Sequence, residues 1–117
     1  MPRPWCPGPV VRVVGRVTAG AECVGRLNLS DTLFNDGAFD DALNELERAS
    51  ELARQVRDPR LQGYAVCHRV MTLARRNGAA PDQAEWQRGL ELIRQSGDLA
   101  AIERLQAELS ERFPARP

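Results

Sequence analysis

The chain has 117 residues, with sixteen basic and sixteen acidic side chains and a formal net charge of zero. That length is at most one domain on the usual scale of roughly 50–250 residues, and the balanced charge gives no overall attraction to nucleic acid or an anionic membrane. No apolar run approaches the roughly 20 residues that a membrane-spanning helix needs. Along the chain, residues 1–20 carry Pro2, Pro4, Pro7 and Pro9, which read as helix-excluding. Val10–Val14 has the look of an edge strand without a partner, so residues 1–21 are expected to form an irregular tail or linker.

From Glu22 onward the pattern is helical. A first helix is predicted over about 22–35, with Leu27, Leu29, Ser30, Leu33 and Phe34 on its apolar side, and Asn35-Asp36-Gly37 stops it. A second, about 39–56, repeats Ala42, Leu43, Leu46, Ala49, Leu52, Ala53 and Val56 at a spacing of three and four. Asp58-Pro59 pairs an N-cap with a proline at the first helical position and opens a third helix, about 59–76. Its inward residues are Leu61, Tyr64, Ala65, Cys67, Val70, Met71 and Ala74. After Asn77-Gly78, Pro81 opens a fourth helix, about 81–96, with Trp86, Gly89, Leu90, Leu92 and Ile93. Gly97 ends it. Asp98 caps a fifth helix, about 98–113, striped by Leu99, Ile102, Leu105, Leu109 and Phe113. Short loops between such helices make sequential neighbours antiparallel.

The chain also repeats itself. Glu45–Asp58 lies over Glu85–Asp98 at an offset of 40 without a gap, with seven identities in fourteen positions: Glu45, Arg48, Glu51, Leu52, Arg54, Gln55 and Asp58 recur as Glu85, Arg88, Glu91, Leu92, Arg94, Gln95 and Asp98. A fixed period in the range of roughly 20–50 residues marks a solenoid whose units bury apolar faces against one another. The fold class is therefore all-α, with antiparallel helical hairpins forming a short solenoid. The domain runs over 22–113, with units of about 22–58 and 59–97. Helix 98–113 is expected to close the array, since Glu103, Arg104, Glu108, Glu111 and Arg112 give it a charged outer face.

Gly37-Ala38-Phe39-Asp40-Asp41-Ala42-Leu43, followed by Leu46 and Ala49, resembles the tetratricopeptide repeat signature. Gly37 fits the turn between paired helices, Phe39, Ala42, Leu46 and Ala49 fit the second helix, and Leu29, Ser30 and Leu33 fit the first. The second unit matches less well: Met71 stands at a small-residue position, and Ala80-Pro81-Asp82 falls where an aromatic is expected. The period of 40–41 exceeds the family's usual length of about 34. It is similar to the longer repeats of bacterial transcription activators and signal-transduction ATPases. The resemblance implies a right-handed solenoid and a protein-interaction role, with first helices lining a concave face.

Three cysteines, Cys6, Cys23 and Cys67, are an odd number with no close pair, which argues for a reducing compartment and a cytoplasmic protein. None has metal-ligand company, and no glycine cluster has the form of a phosphate loop. Neighbouring Cys67 and His68 point about 100° apart on a helix, so they form no nucleophile–base pair. No catalytic residue, cofactor or metal is expected, and the chain is read as a non-enzyme. All sixteen basic residues are arginine, which fits a GC-rich bacterial coding bias. The function expected is a scaffold module that binds a peptide or helix of a partner protein. On the resemblance, its groove residues are Asp31, Phe34 and Asn35 from the first unit and His68, Thr72, Arg75 and Arg76 from the second. An uncovered array edge leaves room for a homodimer. The alternative is a sensory or regulatory fragment of a larger transcription regulator or nucleotide-hydrolysing regulator.

Overall fold

The computed structural model describes the backbone of residues 9–114 and the side chains of residues 17–114. Five helices account for nearly all of it: α1 (Pro9–Asn35), α2 (Phe39–Gln55), α3 (Pro59–Asn77), α4 (Gln83–Ser96) and α5 (Leu99–Arg112). There is no strand among the described residues. α1 packs on α2 and α3 on α4 as two hairpins, α2 packs on α3 to join them, α1 also touches α3, and α5 rests on α4. This is a helical-repeat array.

The turns follow local chemistry. Gly37, Gly78 and Gly97 take positive φ at the ends of α1, α3 and α4. At the first of these the Ala38 N–H donates to the Leu33 carbonyl and the Gly37 N–H to the Phe34 carbonyl, at 2.8 and 3.0 Å. Those two bonds make a Schellman closure. Asp58, Asp82 and Asp98 cap α3, α4 and α5 by accepting backbone N–H bonds from the first turn. α2 has no side-chain cap, and Asp40 and Asp41 in its first turn face the positive end of the helix dipole instead.

Two boundaries differ from the sequence reading. α1 begins at Pro9, so residues 9–21 are helical rather than irregular. A proline at the first helical position forfeits no intrahelical bond, and after Pro9 no proline interrupts α1. The remaining part of the expected tail, residues 1–8, lies outside the described residues. α4 begins at Gln83, because Asp82 rather than Pro81 makes the capping bond, with the Glu85 N–H at 3.2 Å.

The period of 40 is visible in burial. Cys23, Leu27, Phe34, Leu46, Ala49, Ala53, Leu61 and Ala65 are all buried. So are Gly63, Cys67, Ala74, Trp86, Gly89, Ile93, Ala101 and Leu105, the residues 40 further on. α5 thus stands in the register of α3 and forms the first half of a third unit. On α1 the buried stripe is Cys23, Leu27, Ser30 and Phe34; Leu29, expected inside, is 45% exposed. The core has two parts. One joins Leu46, Ala49 and Ala53 to Cys23, Leu27, Leu61 and Ala65. The other gathers Trp86, Leu90 and Ile93 with Met71, Ile102, Leu105 and Phe34. Burial of a side chain such as Leu46 or Leu90 contributes roughly 1.5–3 kcal/mol.

The second hairpin is the tighter of the two. A Cβ on Gly63 would lie 2.5 Å from the Gly89 carbonyl oxygen, and one on Gly89 would lie 2.6 Å from Cys67 Sγ. α3 and α4 therefore cross backbone to backbone at these two glycines. At the equivalent crossing of the first hairpin, Cys23 Sγ fills the gap and donates to the Ala49 carbonyl at 3.2 Å.

Candidate functional site

α3 is the central helix, and it offers two different faces. The first turns toward α1 and α5. Here Arg112 of α5 reaches back to α1: its guanidinium donates to Asp31 Oδ1 at 2.6 Å and stacks 4.6 Å from the centroid of the Phe34 ring. Arg75 donates to the Arg112 carbonyl at 2.7 Å and stands over the rings of Phe34 and Phe113, at 5.5 and 5.0 Å. Further along the same face, Arg104 donates to Tyr64 Oη at 3.1 Å, and the His68 ring lies 6.3 Å from that of Tyr64. Desolvation pushes His68 down to about 4, with Asp31 opposing the shift and Arg112 adding to it. The same desolvation raises Glu108 despite the nearby Arg112. This corner holds a neutral imidazole and a closed set of ion pairs and cation–π contacts.

The structure brings Asp31, Phe34, His68 and Arg75, four of the seven groove residues named from the sequence, to one corner and fills the space between them with α5. Phe34 is buried rather than presented to a ligand. Thr72 is also buried, and its hydroxyl donates to the His68 carbonyl at 2.8 Å, which withdraws it from any partner. Asn35 is exposed at the end of α1. Arg76 leaves the group: it pairs with Asp40 of α2 at 2.9 Å and lines the other face of α3.

That second face is an open groove of about 650 Å³. Its floor is the stripe Gln62, Val66, Arg69, Leu73 and Arg76 on α3, at helical spacings of four and three. Leu43, Asn44, Glu47, Ser50 and Arg54 of α2 form one wall, and Glu85, Arg88 and Leu92 of α4 the other. Leu43, Val66, Leu73 and Leu92 are each half-buried, so apolar surface is offered along the groove without being sealed. Glu85 accepts two bonds from Arg88 at 3.0 Å, and these bonds lower its pKa. A smaller hollow of about 290 Å³ continues the groove past Val66 and Leu73 to Asn77 and Ala80. The sequence reading missed this face. The signal was present in Val66 and Leu73, apolar residues lying outside the inward stripe assigned to α3. An α-helix with apolar side chains on both sides packs or binds on both.

Neither Cys23 nor Cys67, the two cysteines among the described residues, is poised for chemistry. Cys67 is fully buried and its thiol is pushed up to about 12 by burial; Cys23 is raised by burial and by Asp58. A thiol so raised is protonated and poorly nucleophilic at neutral pH. Among the described residues no group of three His, Cys, Asp or Glu side chains is arranged to hold a metal ion. No helix of the described residues is long and apolar enough to cross a membrane. Comparison of the chain with protein-family models, with curated proteins and with solved structures found no match.

Proposed function

We propose that this chain is a non-catalytic protein-interaction module of the tetratricopeptide-like kind, acting in the cytoplasm, and that the groove across α2, α3 and α4 receives a peptide or helix of its partner. The observation that carries this reading is the groove itself: four half-buried aliphatic side chains, Leu43, Val66, Leu73 and Leu92, in an open channel between two hairpins. Arg69 on its floor and Arg54 on its α2 wall hold no ion pair among the described residues and are available to orient a ligand. Aliphatic side chains interspersed with a few polar groups are what peptide-recognition grooves use. Asp31, Phe34, His68 and Arg75 are engaged with α5, so we assign them to holding the array together; a ligand on that face would have to displace Arg112.

The test is selection of peptides from a displayed library against the whole chain. Each selected peptide is then measured by anisotropy against Val66→Asp and Leu73→Asp, both checked for retained helix by circular dichroism. We expect selected peptides to lose at least tenfold in affinity, about 1.4 kcal/mol, in both variants. Peptides that bind both variants as tightly as the parent chain, or no selection at all, would refute the groove.

A further inference from the structure

The groove across α2, α3 and α4 carries a charge bias that the chain as a whole does not. The chain is neutral, with sixteen basic and sixteen acidic residues. The groove lining sets four arginines, Arg54, Arg69, Arg76 and Arg88, against two glutamates, Glu47 and Glu85, a net of +2. Glu85 is already taken, because both of its oxygens accept from Arg88 at 3.0 Å. Arg76 pairs with Asp40 at 2.9 Å; both side chains are exposed, so that pair holds Arg76 only weakly. Glu47 alone of the lining carboxylates has no ion pair among the described residues. It stands against two exposed arginines in the same condition, Arg54 and Arg69.

The order of side chains along the groove sets the pattern of its ligand. Gln62 Nε2 donates to the Ala53 carbonyl at 3.4 Å, so Arg54, the next residue on α2, stands at the Gln62 end. The Arg76–Asp40 pair marks the other end. Arg69 lies halfway, seven residues from both Gln62 and Arg76, or about 10 Å along the helix axis. Val66 and Leu73 fall between these points. Over about 20 Å the groove therefore alternates guanidinium and aliphatic surface. No aromatic ring lines it among the described residues, so it lacks the stacking platform on which single-stranded nucleic acid is held. This rests on the groove being the partner's site, as proposed: we infer that its occupant is an acidic segment of another protein, in which Asp or Glu side chains alternate with Leu, Ile or Val. The carboxylates meet Arg54 and Arg69, whose planar forks accept them in bidentate pairs. The aliphatic side chains cover Val66 and Leu73 and remove them from water. A second copy of the chain, neutral overall, brings no net charge to match.

The probe is a displayed library of random peptides of about 16 residues, long enough to span the groove even as a helix, selected on the whole chain. Groove ligands are those that lose affinity in Val66→Asn, a change that removes apolar surface without adding charge. We expect these peptides to be net negative and to weaken in added sodium chloride. Replacing their Asp and Glu by Asn and Gln should cost about tenfold or more in affinity, and so should the double variant Arg54→Gln with Arg69→Gln. Arg94→Gln, an exposed α4 arginine outside the lining, is the control and should bind as the parent does. Circular dichroism checks that every variant keeps its helix. Groove ligands that are neutral or basic, or that bind the double variant unchanged, overturn the acidic assignment and leave the groove standing. Selected peptides that ignore Val66→Asn, or no selected peptide at all, overturn both. Light scattering supplies a second readout. A parent mass of twice 13.0 kDa that falls to the single-chain value in Val66→Asn would put a second copy in the groove and overturn the acidic partner.

Discussion

Replacing a glycine inside a helix by alanine ordinarily stabilises it, by about 1 kcal/mol. Gly63→Ala is expected to do the reverse. Its new Cβ would lie 2.5 Å from the Gly89 carbonyl oxygen and would also strike Ile93. Carbon contacts settle at roughly 3.5 Å, so α4 must retreat by about 1 Å. The oxygen belongs to the backbone of α4 and cannot rotate away. The retreat loosens Trp86, Leu90 and Ile93, which are fully buried. Overpacking of this kind costs typically 1–3 kcal/mol; set against a propensity gain of about 1 kcal/mol, the net is a loss of up to about 2 kcal/mol. Urea unfolding followed by circular dichroism measures it, with Gly25→Ala as the control. That site is helical and has nothing within 4 Å of the added carbon, so the control should gain about 0.5–1 kcal/mol. A Gly63→Ala protein that gains as much stability as the Gly25→Ala control would show that the two helices do not meet through their backbones.

Arg57 holds a positive φ of 54° at the end of α2, where Gly97 stands one repeat later; Arg57→Gly should raise stability by about 0.5–1 kcal/mol, read from the urea midpoint. His68 titrates near 4 in the folded chain instead of 6.5, so the unfolded state takes up its proton first as the pH falls. The associated stability is fully present above 6.5 and is lost toward 4; between pH 7 and 5 the loss is about 1–2 kcal/mol. His68→Gln should unfold in urea with a correspondingly shallower pH dependence than the parent, and equal slopes would refute the assignment. Leu46→Ala removes a fully buried side chain between the paired helices and should cost about 2–5 kcal/mol in the same assay.

What was legible in the sequence was the part governed by neighbours in the chain. Asp58-Pro59 and the glycines at 37, 78 and 97 mark helix ends through bonds made within a few residues, so their spacing is readable directly. The 40-residue offset likewise shows the order of the units. The start of α1 was misjudged because Pro9 terminates the proline-rich stretch as well as belonging to it. The site was harder, since its geometry depends on what a distant segment supplies. Asp31 and Phe34 look like groove residues until Arg112, 81 positions later, is placed against them. Thr72 looks polar and available until its hydroxyl is satisfied one turn back along its own helix. Gly63 and Gly89 carry no pattern that distinguishes a close crossing from a weak spot in a helix; only the crossing itself does so.

The contact between Arg112 and Asp31 also changes how the array should come apart. A linear stack of repeats, each touching only its neighbours, can fray from either end in independent steps. Here the last helix is fastened to the first by a 2.6 Å ion pair and a guanidinium on the Phe34 ring, so opening α5 also uncovers the end of α1. Amides in these two helices, remote in sequence, should then share a common opening free energy in native-state hydrogen exchange, and Arg112→Ala should separate them into two.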